Sequence, residues 1–231
     1  MIELNNITVL NFKNAIRGMR NAKNSWNKAD SDYCYNVYSL CSKCPFDCSC
    51  PDKYTEHDGV YILGPNDLGL ATTLVKAGSD ERKFLRQIFV SIDITAPRFW
   101  WTEMDTYKIG TVSNSTSTMH KLTSGEITKD NFSLGDPNEY YEAEALHDLQ
   151  SYVAYNCEWL RNKYNETKDK KYWRMLIEIL PQSYNQMRTW TANYEVLRNI
   201  YHARKNHKLQ EWRDFCAELE KLPYAKEFII N

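Results

Sequence analysis

The alternation of side chains over residues 88–95 restricts the possible folds of this chain more than any other feature. Every second residue there is β-branched and apolar, in the series Ile88, Val90, Ile92 and Ile94. Side chains of a strand point alternately to opposite faces, so this pattern predicts a strand with one buried face. Ala96-Pro97 ends the pattern, and we expect Thr95 to cap a following helix over residues 98–107. This helix would bury Phe99, Trp100 and Met104.

Most of the remaining chain has the apolar spacing of helices. A β-type run at residues 7–10 precedes a short helix that reaches Met19. Further helices are predicted over residues 68–76 (capped by Asn66 or Asp67), 143–163, 170–180 and 208–222. Spacings of three and four predict one more helix, along the series Met187, Trp190, Tyr194, Leu197 and Tyr201.

Glycine is scarce, with eight among 231 residues, and the common glycine-rich nucleotide motifs are absent. No G-x-G-x-x-G occurs. Gly64 and Gly69 have the spacing of a P-loop, but Leu70 and Ala71 follow where lysine and a hydroxyl residue are required. The H-E-x-x-H zinc helix and the G-x-S-x-G nucleophile turn are also missing.

The charge is nearly balanced but unevenly distributed. A net charge of −1 excludes generic nucleic-acid binding, which requires a basic surplus. Residues 1–160 carry 15 basic and 21 acidic side chains, whereas residues 161–231 carry 14 and 9. The basic C-terminal third suits an anionic small molecule, or it is an ordinary solvated helix face. Without an apolar run of membrane length or a signal-peptide pattern, we expect a cytoplasmic protein with no membrane segment.

Five of the seven cysteines lie between residues 34 and 50, with the spacing C-x6-C-x2-C-x3-C-x-C. Thiolates two or three residues apart can bind one zinc ion, and the predicted ligands are Cys41, Cys44, Cys48 and Cys50. The alternative is a loop of free thiols. The two remaining cysteines, Cys157 and Cys216, lie on predicted helices and should belong to the core.

Seven of the eight residues from Thr111 to Thr118 are Ser, Thr or Asn, shortly after Lys108. Such a segment is either a flexible surface loop or a cradle for an anion, since hydroxyl and backbone N–H groups bind phosphate.

This segment and a second block resemble the flavin-dependent thymidylate synthases, the ThyX family. The signature loop of that family reads Arg-His-Arg-x-x-Ser-x-Asn-Glu-x-Ser-x-Arg-Tyr. At the same spacing this chain has Thr106-Tyr107-Lys108-x-x-Thr111-x-Ser113-Asn114-x-Thr116-x-Thr118-Met119. The second block matches at Leu180-Pro181, Trp190-Thr191-x-Asn193, Leu197, Arg204 and Gln210. Residues 20–26 also look like an early turn of the family, so the chain resembles a divergent member of bacterial or phage type.

The resemblance implies an α+β fold, rich in helix, with a central and mainly antiparallel sheet. It implies one domain over residues 1–231, with a cysteine-rich insertion at about 30–66 and a loop insertion at about 121–142. Family members are homotetramers with active sites between subunits. They bind FAD and dUMP, take a methylene group from methylenetetrahydrofolate and use NADPH to reduce the flavin.

The resemblance also implies a set of site residues. The cofactor would contact Lys108, Thr111, Asn193 and Arg204. The pyrimidine nucleotide would contact Ser113, Asn114, Ser115, Thr116 and Arg188, with Thr116 as the candidate catalytic residue. The cofactor performs the difficult chemistry in such enzymes, so no strong protein nucleophile is required.

Several positions depart from the family pattern. Lysine at 108 keeps a charge but loses the bidentate geometry of arginine, while Asn114 replaces a glutamate and Thr118 an arginine. Glu195 stands where the family has a nucleotide-binding arginine, and would repel a phosphate unless Arg188 or Arg198 compensates. These departures favour an alternative, a catalytically inactive ThyX-like protein that binds a nucleotide or a protein partner. A third possibility is a zinc-stabilised interaction module around residues 34–57.

Overall fold

The computed structural model describes residues 2–34, 60–133 and 143–231. The strands are β1 (Glu3–Leu10), β2 (Asp32–Cys34), β3 (Val60–Ile62), β4 (Phe89–Pro97), β5 (Val112–Ser115) and β6 (Asn185–Asn193). The helices are α1 (Phe12–Met19), α2 (Pro65–Ala77), α3 (Arg98–Met104), α4 (Thr118–Lys121), α5 (Ala143–Thr167), α6 (Lys170–Ile179), α7 (Tyr194–Arg204) and α8 (Gln210–Leu219). The chain therefore has the expected α+β fold, rich in helix, around a central antiparallel sheet.

The central sheet has four strands in the order β1-β4-β6-β5, and β2 pairs with β3 in a separate antiparallel ribbon. The described residues divide into two compact units, to both of which β4 and β6 contribute. Unit 1 comprises the first residues of the chain, Ile94–Thr106 and Asn114–Arg188. Unit 2 comprises Leu4–Asp93, Tyr107–Ser113 and Thr189–Asn231. The prediction of one domain with two insertions stays a prediction.

The alternation that predicted β4 is confirmed. Val90 and Ile92 are fully buried, whereas Ser91 and Asp93 lie on the other face and contact β6 through side chains. The strand continues through Ala96 and Pro97. The prediction of a Thr95 cap is therefore wrong, because the residue that precedes α3 is Pro97, which has no side-chain donor or acceptor.

Helix α3 is shorter than predicted and buries a different set of aromatic side chains. Trp100 and Met104 are buried as expected, but Phe99 is only half-buried. Trp101 is buried as well, and its indole N–H donates to the carbonyl oxygen of Gln186 at 2.9 Å. That hydrogen bond satisfies the polar edge of the ring, which allows an otherwise apolar side chain to enter the core.

The single helix predicted across residues 187–201 is wrong in its first half. Residues up to Asn193 form β6, and α7 begins only at Tyr194. Within β6, Trp190 and Ala192 are buried while Thr191 between them contacts β4, which is the period of a strand. The series of large apolar residues has helical spacing although its first members belong to β6 and its last members to α7.

The predicted cap of α2 is also wrong. The helix begins at Pro65 after Gly64, and the carboxylate that caps it is that of Asp30, which accepts hydrogen bonds from the N–H groups of Asn66 and Asp67 at 2.8 and 3.0 Å. Asp67 instead lies buried in the first turn, where its carboxylate accepts hydrogen bonds from the Arg20 guanidinium and the Ser31 hydroxyl, both at 2.6 Å. The carboxylate binds tertiary partners, so it is not available to the helix terminus.

The predicted helices of the C-terminal half are present, with shifted ends. Helix α5 extends to Thr167, and α6 packs against it in unit 1. Their shared core contains Leu122, Phe132, Ala154, Cys157, Leu160, Leu176 and Leu180. Cys157 and Cys216 are both buried as expected, and burial raises the pKa of these thiols to about 11 and about 12, respectively.

Among the described residues, no helix combines the length and the apolar character that crossing a membrane requires.

Candidate functional site

The segment that resembles the ThyX signature loop crosses from a tight turn into β5. Gly110 has a φ of +75°, the left-handed region that glycine adopts without steric cost. A Cβ atom there would lie 3.1 Å from the Asn193 amide nitrogen and 3.2 Å from a methyl group of Val196. The turn therefore lies directly against the first turn of α7, in unit 2.

Three of the four predicted cofactor residues meet around this turn. Asn193 accepts a hydrogen bond from the Val196 N–H at 3.0 Å and so caps α7. The Thr111 hydroxyl donates to the carbonyl oxygen of Tyr107 at 2.5 Å. Arg204 donates through Nε to the Tyr107 hydroxyl at 2.9 Å, and its guanidinium carbon lies 4.6 Å from the ring centre of Trp212. Tyr107 thus connects two of these side chains.

Lys108, the fourth predicted cofactor residue, follows Tyr107 and is exposed. The donors of this part of unit 2 are the Lys108 ammonium, the Arg204 guanidinium and the Asn193 amide, since the one O–H of Thr111 is donated to Tyr107. This donor set fits the diphosphate of a dinucleotide cofactor, because charged nitrogen donors bind phosphate oxygens most strongly.

The predicted substrate residues lie along β5 and after it. Ser113, Asn114 and Ser115 are all exposed, with Ser113 in unit 2 and the others in unit 1. In Thr116 both the backbone N–H and the hydroxyl donate to the carbonyl oxygen of Met187, at 3.0 and 2.9 Å. The Thr116 hydroxyl is therefore held by a backbone acceptor, which suits a positioning role better than nucleophilic attack.

Arg188, the predicted substrate residue of β6, is held on three sides within unit 1. One terminal nitrogen donates to the Asp105 carboxylate at 2.8 Å, and Nε donates to the side-chain oxygen of Gln186 at 3.1 Å. The guanidinium lies over the Trp101 ring at 4.2 Å. Only 15% of the side chain is exposed, so the guanidinium is preorganised but already shares its charge with Asp105.

The carboxylate of Glu195 forms an ion pair with Arg82. Arg82 binds both of its oxygens, with Nε at 2.8 Å from one and 3.1 Å from the other and Nη2 at 3.0 Å. Arg82 is thus the ion-pair partner of Glu195, and the charge of Glu195 also acts on Arg198, one of the two arginines considered for its compensation. Arg198 donates to the carbonyl oxygen of Ile229, and burial, then the nearby Arg82, lowers its pKa.

Arg82 is the residue that the sequence reasoning missed. It follows directly after Gly78-Ser79-Asp80-Glu81, which stands where the resemblance would place the histidine-rich flavin motif of the ThyX family. The sequence contained two signals of this pair. Arg82 follows the segment that lacks the motif, and Glu195 is acidic where the resemblance would place an arginine.

A cavity of about 800 Å³ lies within unit 1 and is lined by Thr116. Its polar lining includes Lys121 and Lys129, and its aromatic lining includes Phe132 and Tyr184. Lys121 is the last residue of the short helix α4. This helix begins at Thr118, and it is at position 118 that the resemblance would place an arginine.

No group of three or more metal-binding side chains occurs within residues 2–34, 60–133 and 143–231. The predicted zinc ligands Cys41, Cys44, Cys48 and Cys50 lie outside the described residues, so the zinc site stays a prediction.

Comparison with known proteins gives a likeness in structure but none in sequence. No protein-family profile and no curated protein sequence matches the chain. A crystal structure of thymidylate synthase X (ThyX) from Helicobacter pylori with FAD and dUMP has a TM-score of 0.64 at 15% identity, covering 99% of this chain and 97% of that one. A second structure of ThyX from this organism, also with FAD and dUMP, has a TM-score of 0.60 at 16% identity, covering 97% and 98%. The fold of this chain is ThyX-like.

Proposed function

We propose that this chain is a flavin-dependent enzyme that transfers a one-carbon unit to C5 of dUMP or of a related pyrimidine nucleotide. In this proposal it is a divergent ThyX-like protein of bacterial or phage type. The observation that carries the proposal is the fold likeness along almost the whole chain to ThyX structures that hold FAD and dUMP. The clustering of three predicted cofactor residues around the turn at Gly110 adds support, two of them through Tyr107 and Asn193 beside the glycine.

In this function the protein has to bind and orient its ligands. FAD, when bound, supplies the hydride that completes the methyl group, while methylenetetrahydrofolate supplies the carbon and NADPH the reducing electrons. Lys108 and Arg204 would bind cofactor phosphates, with Thr111 and Asn193 holding the turn beside them. Arg188 would orient the nucleotide, since Asp105 and Trp101 fix its guanidinium before any ligand arrives.

The proposal extends to the assembly and the location of the protein. A homotetramer in the cytoplasm, with active sites between subunits, is what the resemblance implies. Size-exclusion chromatography with light scattering would give about four times the chain mass of 27.3 kDa for a tetramer.

The alternative function is a catalytically inactive ThyX-like protein that binds a nucleotide or a protein partner. The observation in its favour is the bidentate pair of Arg82 and Glu195. A carboxylate occupies a position that the resemblance assigns to a nucleotide-binding arginine, and the arginine beside it is used to neutralise that carboxylate.

Two measurements on the purified protein separate these functions. We expect a visible flavin absorption spectrum, either as purified or after incubation with FAD, and release of tritium from dUMP labelled at C5. Nucleotide binding by calorimetry without flavin binding or tritium release would instead establish the alternative. Absence of both flavin and nucleotide binding would contradict the enzyme and would leave only the form of the alternative that binds a protein partner.

A further inference from the structure

Helix α5 is apolar on two opposite faces. One face packs into the core of unit 1 through Ala154, Cys157 and Leu160. On the other face, large and exposed apolar side chains follow each other at spacings of three and four: Leu149, Tyr152, Tyr155 and Trp159. The outer face of a helix on a protein surface is normally polar, and a helix that is apolar all round is normally buried. The outer face of α5 therefore has the composition of a contact surface.

Helix α6 extends this exposed apolar surface. The Trp159 ring meets the Tyr172 ring edge to face, with 6.1 Å between the ring centres. Met175 and Ile179 follow Tyr172 by three and seven residues, so they lie on the same face of α6, and about half of each side chain is exposed. We call the combined surface the α5/α6 face. It consists of Leu149, Tyr152, Tyr155, Trp159, Met175 and Ile179.

The area of the α5/α6 face is large enough for a subunit contact. Tyr152 and Tyr155 are 67% and 68% exposed, and Trp159 is 44% exposed. Since a whole aromatic side chain has roughly 150–250 Å² of surface, these three side chains together expose about 350 Å². The three other side chains of the face bring the total close to the roughly 800 Å² per partner of a standard interface. Exposed apolar patches of this size are typical of protein–protein contacts.

The two ends of the apolar stripe on α5 carry opposite charges. Asp148 lies at the N-terminal end, seven residues before Tyr155, and Lys163 lies at the C-terminal end, eight residues after it. When two copies of α5 pack antiparallel about a two-fold axis near Tyr155, Asp148 lies beside the partner's Lys163. Parallel packing would place each charge beside its like. Lys163 binds Glu166 of its own helix at 2.9 Å, but such an exposed pair has a low energy and can be exchanged.

From this self-complementary arrangement we infer that the α5/α6 face binds the same face of a second copy of this chain, with the two α5 helices antiparallel. Contacts in which both subunits use the same surface are the commonest in homo-oligomers, and homodimer interfaces are more apolar than other interfaces. The inference rests on the homo-oligomer of the proposed function and deepens it by naming a contact surface. The α5/α6 face includes none of the residues predicted to bind the cofactor or the nucleotide.

The first test is the mass of the assembly, measured by size-exclusion chromatography with light scattering over a range of concentrations. We compare the wild type with Tyr152→Ser/Tyr155→Ser, which removes two exposed rings and leaves the core face of α5 intact. The dissociation constant of the contact should rise about 100-fold, because buried aromatic residues dominate interface energies. The mass should fall by half, since a tetramer with two kinds of two-fold contact becomes a dimer.

The matched control is Phe89→Ser, which removes an aromatic residue of β4 that is 41% exposed and lies outside the α5/α6 face. This variant should retain the mass of the wild type. Far-UV circular dichroism at equal concentration checks that all variants are folded.

The second test is charge reversal, which examines the antiparallel arrangement. Asp148→Lys and Lys163→Glu should each weaken the assembly about tenfold, because each variant places like charges together at both ends of the contact. Asp148→Lys/Lys163→Glu restores opposite charges across the axis and should recover most of the lost affinity. A double variant that assembles no better than the single ones would overturn the antiparallel arrangement.

The outcomes separate this inference from the function it rests on. An unchanged mass in Tyr152→Ser/Tyr155→Ser would mean that something other than a second copy covers the face. It would overturn the inference and leave the flavin and tritium measurements of the proposed function standing. An equal loss of mass in Phe89→Ser would overturn the assignment to the α5/α6 face. A wild type that is monomeric at every concentration would overturn both the inference and the proposed homotetramer.

Discussion

At the scale of single residues, the pair of Arg82 and Glu195 is the clearest departure from what a ThyX-like site would contain. Only 17% and 11% of these side chains are exposed, and all three hydrogen bonds have good lengths. A pair this enclosed is costly to break on one side only, because the remaining charge is left without solvent or partner.

We predict that Arg82→Met destabilises the protein by about 3 kcal/mol, whereas Arg82→Met/Glu195→Met recovers most of this loss. Urea unfolding followed by circular dichroism measures both values. Arg86→Met serves as the control, since this neighbouring arginine is exposed and donates only to a backbone carbonyl. A double variant as unstable as Arg82→Met alone would mean that the pair is not the source of the loss.

At the scale of elements, the turn before β5 depends on one glycine. Gly110 has a positive φ, and a Cβ atom there would lie in tight contact with the side chains of Asn193 and Val196. This contact joins the signature-like loop to the start of α7, where the predicted cofactor residues cluster.

We predict that Gly110→Ala lowers the free energy of unfolding by about 1–2 kcal/mol, the cost of a left-handed backbone for a residue with a side chain. Thermal unfolding in matched buffers provides the measurement. Gly125→Ala is the matched control, because that loop glycine has open space around its Cβ position. Equal shifts in both variants would show that the turn has no special requirement at 110.

The elements also show where sequence patterns were sufficient. Strand β4 could be predicted because its period of two extends over enough residues to exclude a helix. Strand β6 could not, because Met187, Trp190 and Tyr194 satisfy a helical spacing while the threonines between them carry the opposite signal. Pairing with β4 decides the outcome, and pairing is a long-range property that no local pattern contains.

At the scale of the whole molecule, Asp67 links the pH of the solution to the stability of unit 2. Burial alone would raise the pKa of this carboxyl, but hydrogen bonds from Ser31 and Arg20 outweigh burial, and the pKa is lowered. A carboxyl with a lower pKa in the folded state binds protons preferentially when unfolded. Its stabilisation is therefore complete above the unfolded value of about 4, and it is lost as the pH falls through the folded value.

We predict that Asp67→Asn is much less stable than the wild type at about pH 7 and that this difference shrinks as the pH falls below the ordinary aspartate value of about 4 and through the lowered folded-state pKa of Asp67. Urea titrations at several pH values measure the difference. The control is Asp80→Asn, which removes an exposed carboxylate. A stability difference that stays constant with pH would contradict the role of the Asp67 charge.

The candidate site was predictable in part, for identifiable reasons. The spacing of the signature-like loop located Lys108, Thr111 and Thr116 on one segment, because neighbours in sequence stay neighbours in space. The contacts of Arg204 with Tyr107 and of Glu195 with Arg82 join residues about a hundred positions apart. Such pairs depend on how the elements pack, so no spacing rule along the chain predicts them.

The sequence by itself determined the buried face of β4, most of the helices, the absence of glycine-rich nucleotide motifs and the order of the two family-like blocks. These are properties of local periodicity, composition and spacing. Tertiary structure decided the strand at residues 185–193, the partner of Glu195 and the cavity between the sheet and residues 129–133. Each of these depends on hydrogen bonds and burial between distant segments, whose energies exist only after the chain has folded.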